Sequence, residues 1–432
     1  MYRKITTFLK EWKNSQYRKP LILQGARQVG KTYSILEFGK EYYDSVAYFN
    51  FETNMRLEET FSENISPDYL IPILSHISGQ TITKEKTLIV FDEVQLSERA
   101  LTSLKYFYEN APEYHIVVAG SLLGVAVNRQ KFSFPVGKVD IKTMYPMDIE
   151  EFMLALGEEE LVNKIKRCFN ENTPLPSALH DYAMEIYRKY LVIGGMPECV
   201  MQFVNTGDYL LVRHLQDTIL TSYLADMSKY NNLNEIKKTR LVYDNITVQL
   251  SKANTRFKYK LVKKGGRASE FENAIEWLTL SGIVSQVYKI DQVKKPMENY
   301  KNIDAFKIYV SDLGLLAAKK DIFANDILYM VHDIDDFKGG MVENYVNTQL
   351  TSNGYKTYYW ESPRGGAEID FVIQKEGKII PIEVKSADNT KAKSLGVYVK
   401  TFNPEYSIKI SAKNFGFENK IKTVPLYATF CL

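Results

Sequence analysis

Apolar residues fall into two kinds of pattern along this chain of 432 residues. In the first 120 positions they form short unbroken runs: Leu21-Ile22-Leu23-Gln24, Val46-Ala47-Tyr48-Phe49-Asn50, Thr87-Leu88-Ile89-Val90-Phe91 and His115-Ile116-Val117-Val118-Ala119-Gly120. Runs of this length that stop at a glycine or an acid predict buried parallel strands. Tyr33 to Phe38 has the spacing of a helix after the first of them. From Met147 to about Tyr230 the spacing is helical; Asp148-Ile149-Glu150-Glu151 supplies an acidic first turn, and Tyr209 to Met227 is a strong amphipathic candidate. Gly194-Gly195-Met196-Pro197 reads as a plain turn between helices. Thr239–Leu250 predicts a helix, and Ser269–Leu278 another with Ser269 as cap and Glu272 closing a capping box. Leu280–Val284 and Val287–Ile290 predict two short strands. Later, Gly339–Val346 opens a helix, Lys356–Trp360 is β-rich, and Glu376-Gly377-Lys378 is a hairpin turn between Ile369–Ile373 and Ile379–Lys385.

The first strand runs directly into Gly25-Ala26-Arg27-Gln28-Val29-Gly30-Lys31-Thr32. Strand, glycine loop and helix in that order form a phosphate-binding loop. Gly25 and Gly30 let the backbone curl so that N–H groups face phosphate oxygens. Lys31 is expected to reach the outer phosphates and Thr32 to hold Mg²⁺. The third run ends in Asp92-Glu93, a Walker B arrangement: Asp92 for the Mg²⁺ shell and Glu93 to polarise the attacking water. Ser121, just past the fourth run, is a candidate sensor of the terminal phosphate, or simply a helix cap.

The far end carries a second set. In a strand, residues two apart share a face, so Glu383 and Lys385 point together, and the hairpin brings Asp370 alongside. Asp370 and Glu383 are candidate Mg²⁺ ligands, Lys385 a candidate for positioning a nucleophile, and Glu343 a further acidic member. The competing readings are a catalytically idle set used only to bind a partner, or a surface Glu-x-Lys pair with no shared site.

The net charge of +3 says little as a total. Its distribution says more: Lys252, Arg256, Lys258, Lys260, Lys263, Lys264 and Arg267 occupy Ser251–Arg267 with no acid among them, and Phe257 and Tyr259 interleave. This suits contact with phosphates, although such runs also occur as solvated surface. Cys168, Cys199 and Cys431 are sparse and odd in number, as reduced thiols in the cytoplasm would be. No apolar run follows the first residues and none reaches the length of a membrane span, so a signal peptide or a membrane partner is not expected.

The nucleotide motifs resemble those of the AAA+ ATPases. More closely, the chain is similar to a prokaryotic AAA-like family in which the ATPase precedes a C-terminal domain of unknown function. Gly25–Thr32, Phe91-Asp92-Glu93-Val94-Gln95, Ala119-Gly120-Ser121, Tyr145-Pro146-Met147, Gly194-Gly195-Met196-Pro197 and Asp312-Leu313-Gly314-Leu315 carry that resemblance. One departure is Lys138, where the family often has arginine; lysine lacks the bidentate fork. Arg99 and Arg129 are other finger candidates. Glu343, Asp370, Glu383 and Lys385 resemble the characteristic set of the PD-(D/E)XK, restriction-endonuclease-like superfamily.

These readings predict a multidomain α/β protein. A P-loop NTPase core with a parallel sheet (1–146) is followed by a helical lid (147–230), a winged-helix module (231–300) and a PD-(D/E)XK nuclease-like domain (301–432). The function expected is that of an ATPase using ATP and Mg²⁺ that engages nucleic acid, DNA above RNA, with a nuclease-like domain whose competence stays open. Homo-oligomerisation is implied by the family, whose sites often sit at subunit contacts. The alternative is a nucleotide-switched interaction protein with an idle nuclease-like domain.

Overall fold

The computed structural model describes residues 1–120, 135, 137–229, 232–251, 256–329, 335–363, 365–385 and 393–432. It divides into two compact units, Met1–Tyr145 with Leu280–Gly282, and Pro146–Thr279 with Ile283–Leu432.

The first unit is built on five strands, β1 (Leu21–Gln24), β2 (Ser45–Asn50), β3 (Thr87–Asp92), β4 (His115–Gly120) and β5 (Asp140–Thr143), ordered β2-β3-β4-β1-β5. Every neighbouring pair is parallel. Parallel strands need crossovers, and the helices Lys31–Tyr42, Met55–Glu63, Pro67–Ser78 and Glu98–Asn110 lie in those connections. The first four strands follow the apolar runs closely because both faces of β3 and β4 are buried along their whole length. β5 has no such run: it is an edge strand whose middle residues are exposed. Phe91 packs edge-on against Phe51 and Phe61 at centroid distances of 5.8 and 5.5 Å. Each such pair contributes about 0.5–1.5 kcal/mol beyond area burial.

The second unit carries an eight-stranded mixed sheet. Its strands are β6 (Val284–Ile290), β7 (Lys301–Val310), β8 (Tyr358–Glu361), β9 (Glu368–Lys375), β10 (Lys378–Val384), β11 (Ser407–Ser411), β12 (Gly416–Glu418) and β13 (Ile421–Pro425), in the order β12-β13-β11-β10-β9-β8-β6-β7. β9 and β10 form the expected hairpin; Glu376 and Gly377, at φ 48° and 77°, are its two loop residues. Two positive φ values match the twist of the flanking strands.

Several boundaries differ from expectation. The segments read as lid, winged module and nuclease-like domain share this one unit. The two short strands expected over 280–290 are one strand, β6, because Leu280 ends the preceding helix and Gly282, at φ 75°, makes the turn. β6 pairs antiparallel with β7 and parallel with β8, so it joins the main sheet. The helix Ala268–Leu280 starts before Ser269, which is therefore inside its first turn and not its cap. Glu343 lies mid-way along the helix Asp335–Ser352, not at its start.

The turn Gly194-Gly195-Met196-Pro197 is more than a connector. Asp312, buried, accepts hydrogen bonds from Gly195 N at 2.6 Å and Leu315 N at 2.8 Å, and caps the helix Leu313–Lys319. A Cβ on Gly194 would meet Asp312 Oδ1 at 2.3 Å, and one on Gly314 would meet Ile193 O at 2.3 Å. Gly195 O in turn accepts from Met147 N at 2.7 Å. Burial raises the Asp312 pKa from 3.8 to about 6, against the opposing pull of its backbone donors. A carboxyl that holds its proton more tightly when folded loses stabilising power as pH rises through that interval. Asp312→Asn removes the ionisation and, at a cost that does not vary with pH, one of the two acceptor oxygens. Its stability relative to wild type, measured by urea denaturation, should improve by about 3 kcal/mol between about pH 4 and about pH 7. A difference that stays constant with pH would show that Asp312 ionises equally in both states.

Candidate functional site

The phosphate-binding loop leaves β1 with Gly25 at φ 147° and reaches the helix Lys31–Tyr42 through Gln28 at φ 64° and Gly30 at φ 90°. These conformations curl the backbone around the end of the strand. A side chain at Gly25 would put its Cβ 2.1 Å from Met144 O. Arg3 braces the loop from outside, donating to Val29 O at 2.9 Å and to Tyr145 O at 2.8 Å.

Lys31 is buried, and its ammonium donates to Gly25 O at 2.9 Å and Ala26 O at 2.8 Å. Burial lowers its pKa to about 8, opposed by the carboxylates of Glu93 and Asp92. Thr32 Oγ1 donates to Asp92 Oδ2 at 2.9 Å, and Tyr48 OH donates to the same oxygen at 2.8 Å. Glu93 follows at φ 52°, an uncommon conformation for a residue with a Cβ. Burial raises its pKa, while the Gln95 amide, hydrogen-bonded to Oε2, pulls the other way. The structure thus brings Lys31, Thr32, Asp92 and Glu93 together at the carboxyl ends of β1 and β3. Ser121 and Arg129 lie outside the described residues. Lys138 contacts Glu109 at 3.1 Å, and Arg99 donates to Phe61 O at 2.6 Å. Both are engaged in holding the first unit together. Tyr48 and Arg3 are additions that the motifs do not announce. The only signal for Tyr48 was its position near the end of a strand beside the acidic pair.

This donor set suits a Mg²⁺–nucleotide. A buried ammonium resting on loop carbonyls can turn to phosphate oxygens, and a hydroxyl adjoining a carboxylate is the oxygen pair a hard cation takes.

The second unit arranges its candidates in two groups. In one, Glu343 Oε2 accepts from Tyr309 OH at 2.9 Å and lies 3.3 Å from Lys307 Nζ, while Lys307 also contacts Glu368 at 2.5 Å. Asp370 stands near them; its Oδ2 accepts from Val384 N at 2.7 Å. Burial and the charge of Glu343 raise its pKa, outweighing Lys307. Lys307 is 1% exposed. Burial alone would neutralise it, yet Glu343, Tyr309, Glu368 and Asp370 hold its pKa well above the usual lysine value. In the other group, Glu383 Oε1 contacts Lys385 Nζ at 2.6 Å and its Oε2 accepts from Leu395 N at 3.2 Å. The expected pairing of Glu383 with Lys385 is present. Asp370 and Glu343 share surroundings, and Asp370 accepts from the N–H of Val384, the residue next to Glu383. Among the described residues no three acidic, histidine or cysteine side chains converge to hold a metal ion. Lys307 and Glu368 went unnoticed in the sequence; the available signal was one lysine in the apolar run Ala305-Phe306-Lys307-Ile308-Tyr309-Val310.

Along the basic segment, Lys258, Lys260, Lys263, Lys264 and Arg267 are exposed. Lys252 is outside the described residues. Phe257 is buried and stacks on Phe306 at 5.5 Å, so it serves the core rather than a ligand. No described helix is long and apolar enough to cross a membrane.

Comparison with known proteins finds matches to three stretches of the chain. Residues 17–153 match a family model described as an AAA domain. Residues 184–326 and 338–429 match two models described as domains of unknown function. No curated protein matches the chain. Among solved structures, the Walker-type ATPase of Pyrococcus abyssi is 14% identical, with 73% of this chain and 94% of that one covered, at a TM-score of 0.45. The ORC2 protein of Aeropyrum pernix is 12% identical, covering 76% and 92%, with a TM-score of 0.38. DnaA of Aquifex aeolicus, bound to AMPPCP, is 15% identical, covering 65% and 89%, with a TM-score of 0.27. By the family-model match, residues 17–153 are similar to an AAA domain, and the loop Gly25–Thr32 within them has the geometry of a P-loop.

Lys31→Ala should weaken ATP binding by roughly 100-fold or more, since it removes a charge-assisted donor to the phosphates. Calorimetric titration measures this. In wild type, affinity should fall as pH rises through about 8, where the free ammonium loses its proton. Unchanged affinity in the variant would take Lys31 out of phosphate binding.

Proposed function

We propose that the chain hydrolyses ATP with Mg²⁺ at the first unit and engages nucleic acid, DNA in preference to RNA, through the second. The observation that carries the ATPase part is the contact of Thr32 with Asp92 at 2.9 Å beside buried Lys31 and Glu93. Gly25–Thr32 would cradle the phosphates, with Lys31 on the outer ones. Thr32 and Asp92 would hold the cation, which supplies charge neutralisation on the transferring phosphoryl group. Glu93 would orient the attacking water; its raised pKa is the direction a general base at neutral pH requires.

Engagement of DNA is supported by the element order over 233–310. A helix (Leu233–Leu250) is followed by an isolated bridge from Arg256 to Lys307, a short helix (Tyr259–Val262), a longer helix (Ala268–Leu280) and the β6–β7 hairpin. That is the sequence of parts in a winged helix, with β7 lengthening the module beyond residue 300. The exposed lysines at 258, 260, 263 and 264 flank the longer helix. A phosphate backbone is the polyanion such a row fits.

For the C-terminal region, the engaged carboxylates favour the reading in which a nuclease-like domain recognises rather than cuts. Each candidate acid already accepts a hydrogen bond or ion pair from the protein.

Two variants test the proposal. Glu93→Gln should bind ATP as wild type does and lose about 100-fold or more in turnover; normal turnover would remove Glu93 from the mechanism. Replacing Lys258, Lys260, Lys263 and Lys264 with glutamine should weaken duplex DNA binding uniformly across sequences and flatten its dependence on salt, each lost phosphate contact lowering the slope by about 0.9. Equal affinity and slope would return these lysines to ordinary surface charge.

A further inference from the structure

Among the described lysines of the second unit, Lys307 is the buried one. It lies on β7, almost wholly withdrawn from solvent, with its ammonium 2.5 Å from Glu368 and 3.3 Å from Glu343. Tyr309 OH shares the Glu343 oxygen, and the Tyr359 ring lies 5.1 Å from the ammonium. Asp370 adds a third carboxylate to its electrostatic surroundings. Glu343 and Glu368 are partly buried, with side chains 19% and 31% exposed, and acidic groups gathered around one point with reduced solvation favour a counter-cation among them. In a metal-dependent nuclease that cation is a divalent ion. Here the acidic set does not offer three converging donors, and an ammonium from the chain already stands among its members.

We propose that Lys307 is the resident cation of the Glu343–Glu368–Asp370 cluster, an internal ammonium in the position where a related acidic site takes Mg²⁺. The cluster then fixes β7 to the helix Asp335–Ser352 and to β9, without a divalent ion. β7 is also the strand bridged by Arg256. The ammonium therefore ties the basic segment's supporting strand to the nuclease-like end. This inference does not depend on the ATPase reading.

The full chain without nucleotide is examined by thermal denaturation and by calorimetric titration with Mn²⁺, as wild type, Asp370→Ala, Lys307→Met and Lys307→Met/Glu343→Gln. Mn²⁺ binding and its effect on Tm should be the same in wild type and Asp370→Ala. Lys307→Met should melt several degrees lower and regain part of the loss in millimolar Mn²⁺, as the vacated cluster accepts the ion. The double variant, with one charge of each sign removed, should regain stability without Mn²⁺. If Lys307→Met does not fold, the double variant carries the test: folded, it supports the proposal, and unfolded, it overturns it. A Mn²⁺-dependent rise in wild-type Tm that Asp370→Ala abolishes would mean that the cluster takes a metal despite Lys307. Lys307→Met melting like wild type, or folding but recovering with neither Mn²⁺ nor the second substitution, would equally defeat the assignment. Metal-dependent DNA cleavage lost in Asp370→Ala would do the same.

Discussion

Asp312 is where several segments of the second unit meet. Its carboxylate accepts the Gly195 N–H on one oxygen and the Leu315 N–H on the other. A carboxylate lets both oxygens accept in this way; an amide offers a single acceptor oxygen. From this point the bonds run outward. Gly195 O receives Met147 N, Met147 O receives Tyr190 OH, and the Gln349 side chain reaches both Tyr190 OH and Ile149 N. Residues 147, 190, 195, 312 and 349 are remote in sequence, yet one polar chain connects them. The glycines at 194, 195 and 314 are required because backbone or carboxylate oxygen already occupies the space of a Cβ. The cost of such a centre is a buried charge, visible in the raised pKa of Asp312.

The first unit handles its polar groups differently. Its buried β3 and β4 leave chemistry only at their carboxyl ends, where the backbone turns out of the sheet. There, Lys31 rests on Gly25 and Ala26, Thr32 on Asp92, and Glu93 on Gln95. Each group has a temporary partner within the protein. Binding a nucleotide then exchanges one set of hydrogen bonds for another, instead of first desolvating bare charges. Arg3 and Met144 hold the loop's backbone in place from its outer side, so the exchange involves side chains rather than the loop as a whole.

Much of this was legible in the sequence, for reasons that differ by element. The strands β1 to β4 and the loop Gly25–Thr32 could be read because burial on both faces and the φ requirements of the loop restrict residue choice locally. The β9–β10 hairpin could be read because Glu376 and Gly377 supply its turn. β5 could not, since an exposed edge imposes no apolar run. The Asp312 clamp could not either: the two motifs that form it were visible, but their contact spans 117 positions. Phe257 looked like a ligand-facing aromatic among lysines and proved to be a core ring, because alternation alone does not say which face is solvent.

Lys31 and Lys307 carry the contrast furthest. Both are buried lysines with acidic neighbours, yet one is pushed toward losing its proton and the other held to it. The difference lies in what touches the ammonium. Lys31 donates to neutral carbonyls, and Asp92 and Glu93 act on it without an ion pair, so burial prevails. Lys307 has Glu343 and Glu368 in direct contact, and their field prevails over burial. An ammonium on carbonyls can be drawn to an incoming phosphate because little opposes its departure. An ammonium between carboxylates cannot leave without separating two ion pairs and leaving their partly buried carboxylates unpaired. The same side chain is therefore suited to bind a ligand in one unit and to hold strands and helix together in the other.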